Sequence, residues 1–345
     1  MTQFAIEKVY TQTSPGSLRA VACDPEERPV RLFTERWGGA GDRARFGAIS
    51  EARLRAFADE LRGAFCELPS GEQVFLRLKS REDLTEGQAI RLRIESEARF
   101  EKLARGALTE APLKTVSGLT AWCAAIGMSS APDVVESADR VSAAFHEALS
   151  PSVTLPRGGK LHIERTRALT AFDIDTAGRK DKGSAGARAL AINQDAIGEM
   201  ARQIAVRGLG GAFVLDCVSP IHASAGDRLR AFGRSAFEAM GLAPVRLLKP
   251  SDLGLLQAAL PWRFTPLEDE RTANPAETEL LDLMRHLQRE AEAIPTRFFT
   301  LLLGGRVWRA YQERKSDADQ ALQTHFSGRV SVKQSATDTS EVIGQ

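Results

Sequence analysis

Two stretches of sequence decide the fold of the middle of this chain: LPRGGKLHIERTRALTAFDIDTAGR at 155–179 and ARQIAVRGLGGAFVLDCVSP at 201–220. In the first, KLHIER and ALTAFDID predict two strands joined by a turn at Thr166-Arg167. In the second, GAFVLD is a nearly continuous apolar run, typical of a strand buried on both faces. Residues 189–207 between them have the apolar stripe of an amphipathic helix. The resulting βαβ unit predicts parallel strands with a right-handed crossover.

Three acidic residues lie at the ends of these predicted strands. Asp173 and Asp175 share one face of their strand because alternate residues point the same way, and Asp216 closes GAFVLD. If the two strands are parallel neighbours, all three carboxylates gather at the edge where open α/β sheets bind ligands. Carboxylates this close repel one another unless a cation holds them, and oxygen ligands suit Mg²⁺.

The charges around the acids favour a phosphate substrate. Eight lysines and arginines lie between Arg157 and Arg188, against four acidic residues. An acidic metal site surrounded by cations is typical of phosphodiester cleavage. The alternative is purely structural, because acids at strand ends often cap the next turn and a basic, glycine-rich loop is often only solvated. The pattern alone leaves both interpretations open.

The composition limits the remaining functional classes. The 345 residues are 43% hydrophobic and 26% charged, with 46 basic and 45 acidic side chains, which is typical of a folded protein of two or three domains. The sequence predicts no membrane span and no secretory signal, so we expect a cytoplasmic location. The four cysteines are far apart, which predicts neither a structural zinc site nor a disulfide scaffold.

The flanking segments predict further units. The first forty residues have the pattern of strands broken by turns, and residues 46–110 hold five short strands with glycine at the corners, as in an OB-fold barrel. Residues 111–150 are predicted to be helical, with Val134, Ala138, Val141 and Phe145 on one face. After a polar segment at 264–276 comes a terminal α/β pattern of helix, strand, helix and strand.

The two stretches quoted first also resemble the catalytic core of the ribonuclease E/G family. That family has a similar Gly-Gly strand pair, an A-x-D-I-N segment and the pattern A-R-Q-L-x-x-R-x-L-G-G-x-I-V-I-D. The resemblance implies that Asp173 and Asp216 correspond to the two magnesium-binding aspartates of the family. Asp175 falls where the family usually has an asparagine that orients one of them.

The segment GAFCELPSGEQVFLRLKSREDLTEGQAIRLRI resembles the RNA-binding OB-fold of the same family, which is inserted into a split ribonuclease-H-like domain. Phe65 and Phe75 match its RNA-contacting aromatic positions, and Lys102 matches its nearby lysine. Exposed aromatic rings on a barrel stack on bases, and a lysine holds phosphate. The alternative is that both phenylalanines belong to the barrel core, and the sequence leaves the two interpretations even.

The chain departs from the family pattern in four places. The cysteines of the family's zinc link are missing from 264–276, so we expect no structural zinc and no zinc-bridged assembly, although a homo-oligomer stays open. The forty residues after the barrel are too few for a full 5′-end sensor domain. Ser219 replaces a second acid, and Asp252 replaces an arginine. Loss of a cation near a phosphate site weakens substrate binding or catalysis.

The resemblance implies an α+β multidomain protein with a ribonuclease-H-like and DNase-I-like α/β core, an inserted OB-fold barrel and a small C-terminal α/β domain. The predicted boundaries are 1–45 and 111–155 for the ribonuclease-H-like part and reduced sensor region, 46–110 for the barrel, 156–263 for the catalytic domain, 264–276 for a linker, 277–334 for the small domain and 335–345 for a disordered tail.

The function implied is Mg²⁺-dependent endonucleolytic cleavage of single-stranded RNA, leaving 5′-phosphate and 3′-hydroxyl ends. Asp173 and Asp216 hold the metal in this interpretation, and Asp175 assists. The expected cationic RNA contacts in the catalytic domain are Arg165, Arg179, Lys180 and Lys182. One alternative is an RNA-binding protein that has lost efficient cleavage, which Ser219 and Asp252 favour. Another is a DNA nuclease or small-molecule phosphodiesterase, which leaves the barrel unexplained.

Overall fold

The computed structural model of this chain describes residues 6, 8–37, 43–78, 84–100, 102–116, 118–126 and 133–345. The strands in these residues are β1 (Lys8–Ser14), β2 (Ser17–Cys23), β3 (Pro29–Arg36), β4 (Ile49–Ala58), β5 (Gly63–Glu67), β6 (Gln73–Arg77), β7 (Ala89–Ser96), β8 (Ala104–Leu108), β9 (Asp133–Glu136), β10 (Ser152–Thr154), β11 (Lys160–Arg165), β12 (Leu169–Asp175), β13 (Gly211–Asp216), β14 (Arg246–Leu247), β15 (Leu255–Leu260), β16 (Phe299–Leu303), β17 (Val330–Gln334) and β18 (Glu341–Gly344). The helices are α1 (Gly118–Ala125), α2 (Ala138–Leu149), α3 (Ala185–Arg207), α4 (Ala223–Ala239), α5 (Leu267–Ala273), α6 (Pro275–Ala293), α7 (Gly305–Glu313) and α8 (Lys315–Phe326). Within those ranges, none of the helices combines the length and the apolar character that crossing a membrane requires.

The sheet built from the two quoted stretches has the strand order β10-β11-β12-β13-β15-β14. β12 and β13 are parallel and α3 connects them, which confirms the βαβ unit. Phe172, Phe213 and Leu215 point to one face and pack with the apolar stripe of α3 and with α4. β13 alternates between buried and exposed residues, so the prediction that it is buried on both faces is wrong. The helices cover one face of the sheet. The residues that alternate with these buried ones along β12 and β13 point to the other face.

Residues 46–110 form the predicted barrel, which is closed in the order β4-β5-β6-β8-β7. Its strands place small and branched apolar residues inside, among them Leu54, Val74, Leu76 and Leu92. Arginine and glutamate alternate with these residues along β4 and β7, as expected for strands with one buried and one solvated face. The closed five-stranded barrel and the mixed α/β class are therefore confirmed, while the ribonuclease-H-like and DNase-I-like assignments stay predictions.

The segment 111–150 is only partly helical, so that prediction needs a correction. Asp133–Glu136 forms β9, which pairs in parallel with β1 at the edge of the sheet β3-β2-β1-β9. Val134, expected on a helix face, is a strand residue, because two consecutive β-branched valines suit a strand better than a helix. Helix α2 begins only after Ser137, and its buried residues include Val141 and Phe145 as expected.

Two segments near the C-terminus also differ from their predictions. The expected linker 264–276 contains α5, whose Leu267 and Asp269 are buried: Leu267 packs beside α2, and Asp269 binds Arg165. The expected disordered tail contains β18, which pairs antiparallel with β16, because Val342 and Ile343 extend the small sheet β17-β16-β18. The second helix of the expected terminal pattern of helix, strand, helix and strand is divided into α7 and α8.

Candidate active site and RNA-binding face

Strand register brings two of the three predicted acids side by side. β12 and β13 pair from Leu169 with Ala212 through Phe172 with Leu215, and the next step of that register sets Asp173 beside Asp216. Adjacent strands lie about 4.8 Å apart, and residues opposite each other point to the same face. Both carboxylates are exposed on the face that α3 and α4 leave open.

Neither carboxylate has a partner among the residues that the structure describes. No hydrogen bond or ion pair there reaches the Asp173 or Asp216 side chain, whereas Asp195 and Glu199 of helix α3 are each bound by an arginine. Two unpartnered carboxylates on neighbouring strands repel each other, and a cation between them relieves that repulsion. The donor set, which is oxygen alone, fits Mg²⁺.

The third acid, Asp175, has a different local role. Its Oδ1 accepts a hydrogen bond of 2.8 Å from the backbone N–H of Ala177, so it caps the turn after β12. Opposite it, Gly159 has a φ of +80°, and a Cβ there would lie 2.5 Å from the carbonyl oxygen of Asp175. Glycine at 159 therefore lets the β10–β11 turn approach the end of β12.

The acids do not form a closed metal cage. Across the described ranges, no group of three or more His, Cys, Asp or Glu side chains lies close enough together to hold a metal ion. Mg²⁺ is commonly bound by one or two carboxylates, several waters and substrate phosphates rather than by an all-protein cage. The pair of Asp173 and Asp216 suits that open mode of binding.

Arg179 is not presented to solvent, in contrast to the prediction that it contacts RNA. Its guanidinium, with 3% of the side chain exposed, donates to Asp181 Oδ2 at 2.6 Å, to Asp195 Oδ2 at 2.9 Å and to the carbonyl of Gly158 at 2.9 Å. The hydrogen bond from Arg179 lowers the pKa of Asp181, and the same bond raises the pKa of Arg179. Arg179 thus ties the loop after β12 to α3 and to the β10–β11 turn.

Arg165 likewise serves a structural role. Its side chain is 9% exposed and binds both carboxylate oxygens of Asp269, at 2.5 and 3.1 Å, while its guanidinium lies over the Phe100 ring at 4.0 Å. It pairs in register with Thr170, at the end of β12 away from Asp175. Arg165 therefore joins the sheet to α5 and the barrel and lies away from the acids.

Lys180 and Lys182 lie in the loop between β12 and α3, and their contact with RNA stays a prediction. Both are exposed, and neither has an ion-pair partner among the described residues. Arg157 nearby is neutralised by Asp195, at 2.7 Å. The free positive charge of this loop therefore comes from its two lysines.

Phe65 and Phe75 lie on the outer face of the barrel. They are directly paired in register between β5 and β6, with ring centroids 5.7 Å apart in an edge-to-face arrangement. Both are half-buried, and neither belongs to the barrel core, which their neighbours Cys66 and Val74 fill. A Cβ on Gly63 would lie 2.3 Å from the Phe75 ring, so a larger residue at position 63 would clash with the ring where it now lies. The rings stand where a base could stack.

One basic residue, Arg105, lies beside this aromatic pair, and Lys102 lies just before the same strand, β8. Lys102 is exposed, and its backbone exchanges hydrogen bonds with Arg99. Arg105, which the sequence analysis missed, pairs in register with Phe75 and is exposed on the same outer face. The alternation of Ala104, Arg105 and Gly106 in β8 is the signal that could have placed it there.

Strand β11 places two further side chains beside the acids. Its register with β12 sets His162 opposite Asp173 and Lys160 opposite Asp175. Both side chains therefore lie on the open face of the sheet, beside the acids. Only the register reveals this, because the hairpin turn fixes which residues of two strands face each other.

The acids lie on an open sheet face rather than in a deep cavity. A cleft of about 680 Å³ lies elsewhere, between the barrel and α5. Its charges are largely engaged with each other, as Arg36 with Glu277 at 2.9 Å. An open face suits a long polymer substrate better than a small enclosed molecule.

Comparison with known proteins decides the family. The sequence pattern of the ribonuclease E/G family matches residues 78–259, more than half of the chain. This chain belongs to the ribonuclease E/G family. Asp173, Asp216 and the whole βαβ unit lie within the matched residues, and Phe65 and Phe75 precede them.

Individual relatives of this ribonuclease E/G family member share a shorter stretch. It is 38% identical to ribonuclease E of Synechocystis sp. and 37% identical to ribonuclease E of Escherichia coli, in each case over 79 residues, or 23% of this chain. That stretch spans 12% and 7% of the two proteins. A ribonuclease E/G-like protein of Porphyra purpurea is 32% identical over 79 residues, 16% of its length. The chain thus matches only a small part of each relative.

Proposed function

We propose that this protein is an endoribonuclease that cleaves single-stranded RNA with a Mg²⁺ ion held by Asp173 and Asp216. The observation that carries the proposal is the register of β12 and β13, which sets these two unpartnered carboxylates side by side on an open face. Membership of the ribonuclease E/G family supports RNA as the substrate.

In this proposal the chain supplies the ligands of the metal ion and the residues that keep those ligands in position. When bound, Mg²⁺ would activate water and stabilise the charge that develops on the scissile phosphate. Asp173 and Asp216 supply the oxygen ligands. Asp175 caps the following turn and so keeps the end of β12 in place. Arg179 positions the same loop through Asp181 and Asp195.

The barrel would hold the substrate. Phe65 and Phe75 offer an aromatic surface for bases, which favours unpaired nucleotides because bases in a duplex are already stacked on one another. Lys102 and Arg105 would attract the phosphates beside those bases. Binding and cleavage thus reside in different parts of the molecule, in a protein that we place in the cytoplasm.

The test is incubation of the protein with end-labelled single-stranded RNA, in Mg²⁺ and in EDTA. We expect internal cuts in Mg²⁺ alone, 5′-phosphate on the downstream product, and much slower cutting of the same RNA annealed to its complement. Tight binding without cutting would contradict the proposal and favour an RNA-binding protein that has lost its activity, in agreement with Ser219 and Asp252. Equal cutting of single-stranded DNA would contradict the RNA specificity.

A further inference from the structure

Strand β11 carries two nitrogen-bearing side chains along the acidic edge of the sheet. Lys160 pairs in register with Asp175, and His162 pairs with Asp173. Because their positions are two apart, both side chains point to the open face, about 6.8 Å from each other along the strand. That spacing is comparable with the step between neighbouring phosphates of an extended RNA strand.

We infer that Lys160 and His162 bind the phosphate backbone of the substrate beside the carboxylate pair, an assignment that rests on the proposed function. Neither side chain has an ion-pair or hydrogen-bond partner within the described part of the chain; Lys160 is exposed and His162 half-buried. A lysine contributes a point charge, and an imidazole contributes an N–H donor to a phosphate oxygen.

The distribution of charge around the carboxylates supports an approach of the RNA from the side of β11. On the β11 and β12 side, three exposed lysines, Lys160, Lys180 and Lys182, are unpaired among the described residues. One exposed acid, Glu164, opposes them from the part of β11 that pairs with Ala171, away from Asp175. The basic neighbours Arg157 and Arg179 are already neutralised by Asp195 and Asp181.

The opposite side of the carboxylate pair carries less positive charge close to the acids. Asp216 pairs there with Leu255, and the preceding loop 249–254 contains one lysine, Lys249, and one aspartate, Asp252. That loop is formally neutral, so it attracts a polyanion weakly. The exposed Arg246 of β14 pairs with Ala259, four residues along β15 from the partner of Asp216, and so lies further from the acids than β11 does. A phosphate that must approach two carboxylates therefore finds compensating charge on the side of β11.

The experiment measures the affinity of the full-length protein for a labelled single-stranded RNA long enough to span barrel and sheet, in EDTA and at several salt concentrations. Lys160→Gln should weaken binding and reduce the slope of log affinity against log salt by about 0.7, the value for one phosphate contact on a single strand. Lys249→Gln is the matched control, since it removes the same charge from the far side, and should leave the slope unchanged. Lys160→Arg should restore the slope.

His162 is tested by cleavage in Mg²⁺. His162→Ala should lower kcat/KM by about three- to tenfold, as for one lost hydrogen bond, with most of the loss in KM. His162→Asn, which keeps an N–H donor, should recover part of that loss.

The inference is overturned if Lys160→Gln and Lys249→Gln change the salt slope equally, or if His162→Ala cleaves like the unchanged protein. A protein that binds RNA but never cuts it would refute the proposed nuclease and the role of His162 in cleavage. The salt slopes of Lys160→Gln and its control would still decide whether RNA lies along β11, so the two failures are distinguishable.

Discussion

The outer face of the barrel and the open face of the six-stranded sheet are built by the same rule but differ in how their outward side chains are partnered. In both, alternate residues of each strand fill a core and the residues between them face outward. On the barrel the outward pair, Phe65 and Phe75, pack against each other. On the sheet the outward pair, Asp173 and Asp216, lie in register with no described partner.

From this difference we expect the two faces to serve different steps of the proposed reaction. The aromatic pair is already ordered by its own contacts, so it can offer a stacking surface with little further loss of conformational freedom. The carboxylate pair is electrostatically incomplete, and a cation would complete it. Changes to the two faces should therefore affect different steps, one the affinity for RNA and the other the rate of cleavage.

The largest effect should come from the carboxylates. Asp173→Asn or Asp216→Asn keeps the side-chain shape but removes a metal-binding charge, and should slow cleavage by about a thousandfold, since metal catalysis contributes several kcal/mol. Affinity for RNA should hold or rise, because a charge that repels phosphate is lost. Single-turnover cleavage measures the rate, and filter binding measures the affinity. A variant that cleaves at the normal rate would contradict the role proposed for these two aspartates.

The next effect concerns stability. Arg179→Met removes the shared partner of Asp181 and Asp195, although Asp195 keeps Arg157, and should lower the free energy of unfolding by about 1–3 kcal/mol, as for hydrogen bonds to a charged group. The matched change Lys182→Met, in the same loop but exposed, should have almost no effect. Denaturant unfolding followed by circular dichroism measures both, and equal stability of the two variants would contradict the role assigned to Arg179.

The same pair predicts a dependence on pH. The pKa of Asp181 is lowered in the folded protein by its hydrogen bond to Arg179, so its contribution to stability is full at neutral pH and is lost as the pH falls through that depressed pKa. The stability difference between the unchanged protein and Arg179→Met should therefore shrink in acid. A difference that stays constant down to the acid transition would argue against this ion pair.

The aromatic face should give a smaller effect, and one confined to binding. Phe65→Ala and Phe75→Ala should each weaken RNA binding by about 1–3 kcal/mol through a lost base stack, with little loss of stability. Leu76→Ala, one residue along in the barrel core, is the contrasting variant and should cost about 2–5 kcal/mol of stability. If the phenylalanine variants unfold as Leu76→Ala does, the rings serve the fold rather than RNA.

The smallest effect should be that of the RNA's 5′ end. Residues 109–155 provide α1, β9 and α2 and little further regular structure among the described residues, so we expect cleavage to be nearly the same for 5′-triphosphate, 5′-monophosphate and 5′-hydroxyl versions of one RNA. Initial rates for the three substrates test this. A strong preference for the monophosphate would show that this short segment senses the end.

The sequence predicted elements well where a local pattern determined them. The βαβ unit and the barrel strands follow from alternation and from glycine-marked turns, which are properties of neighbouring residues. It failed at β9 and β18, because a short strand forms only if a distant edge is available: β1 for Asp133–Glu136 and β16 for Glu341–Gly344.

The candidate site divides in a similar way. The proximity of Asp173 and Asp216 could be predicted, since parallel strands end at the same edge of a sheet. The role of Arg165 could not, because its partner Asp269 lies about a hundred residues further along the chain. Arg179 has a near neighbour, Asp181, as one partner, but its second partner, Asp195 of α3, comes close only in the fold. The position of His162 needed the register of a hairpin.

The most direct test of the central claim is metal binding itself. Mn²⁺ can replace Mg²⁺ at oxygen ligands, and electron paramagnetic resonance of free Mn²⁺ counts the ions bound per chain in the presence of uncleavable RNA, once the ions held by the same RNA alone are subtracted. We predict one ion per chain in the unchanged protein and none at the same concentration when Asp173 and Asp216 are both changed to Asn, with RNA still bound. Unchanged Mn²⁺ binding by that double variant would contradict the assignment of these two aspartates as the metal site.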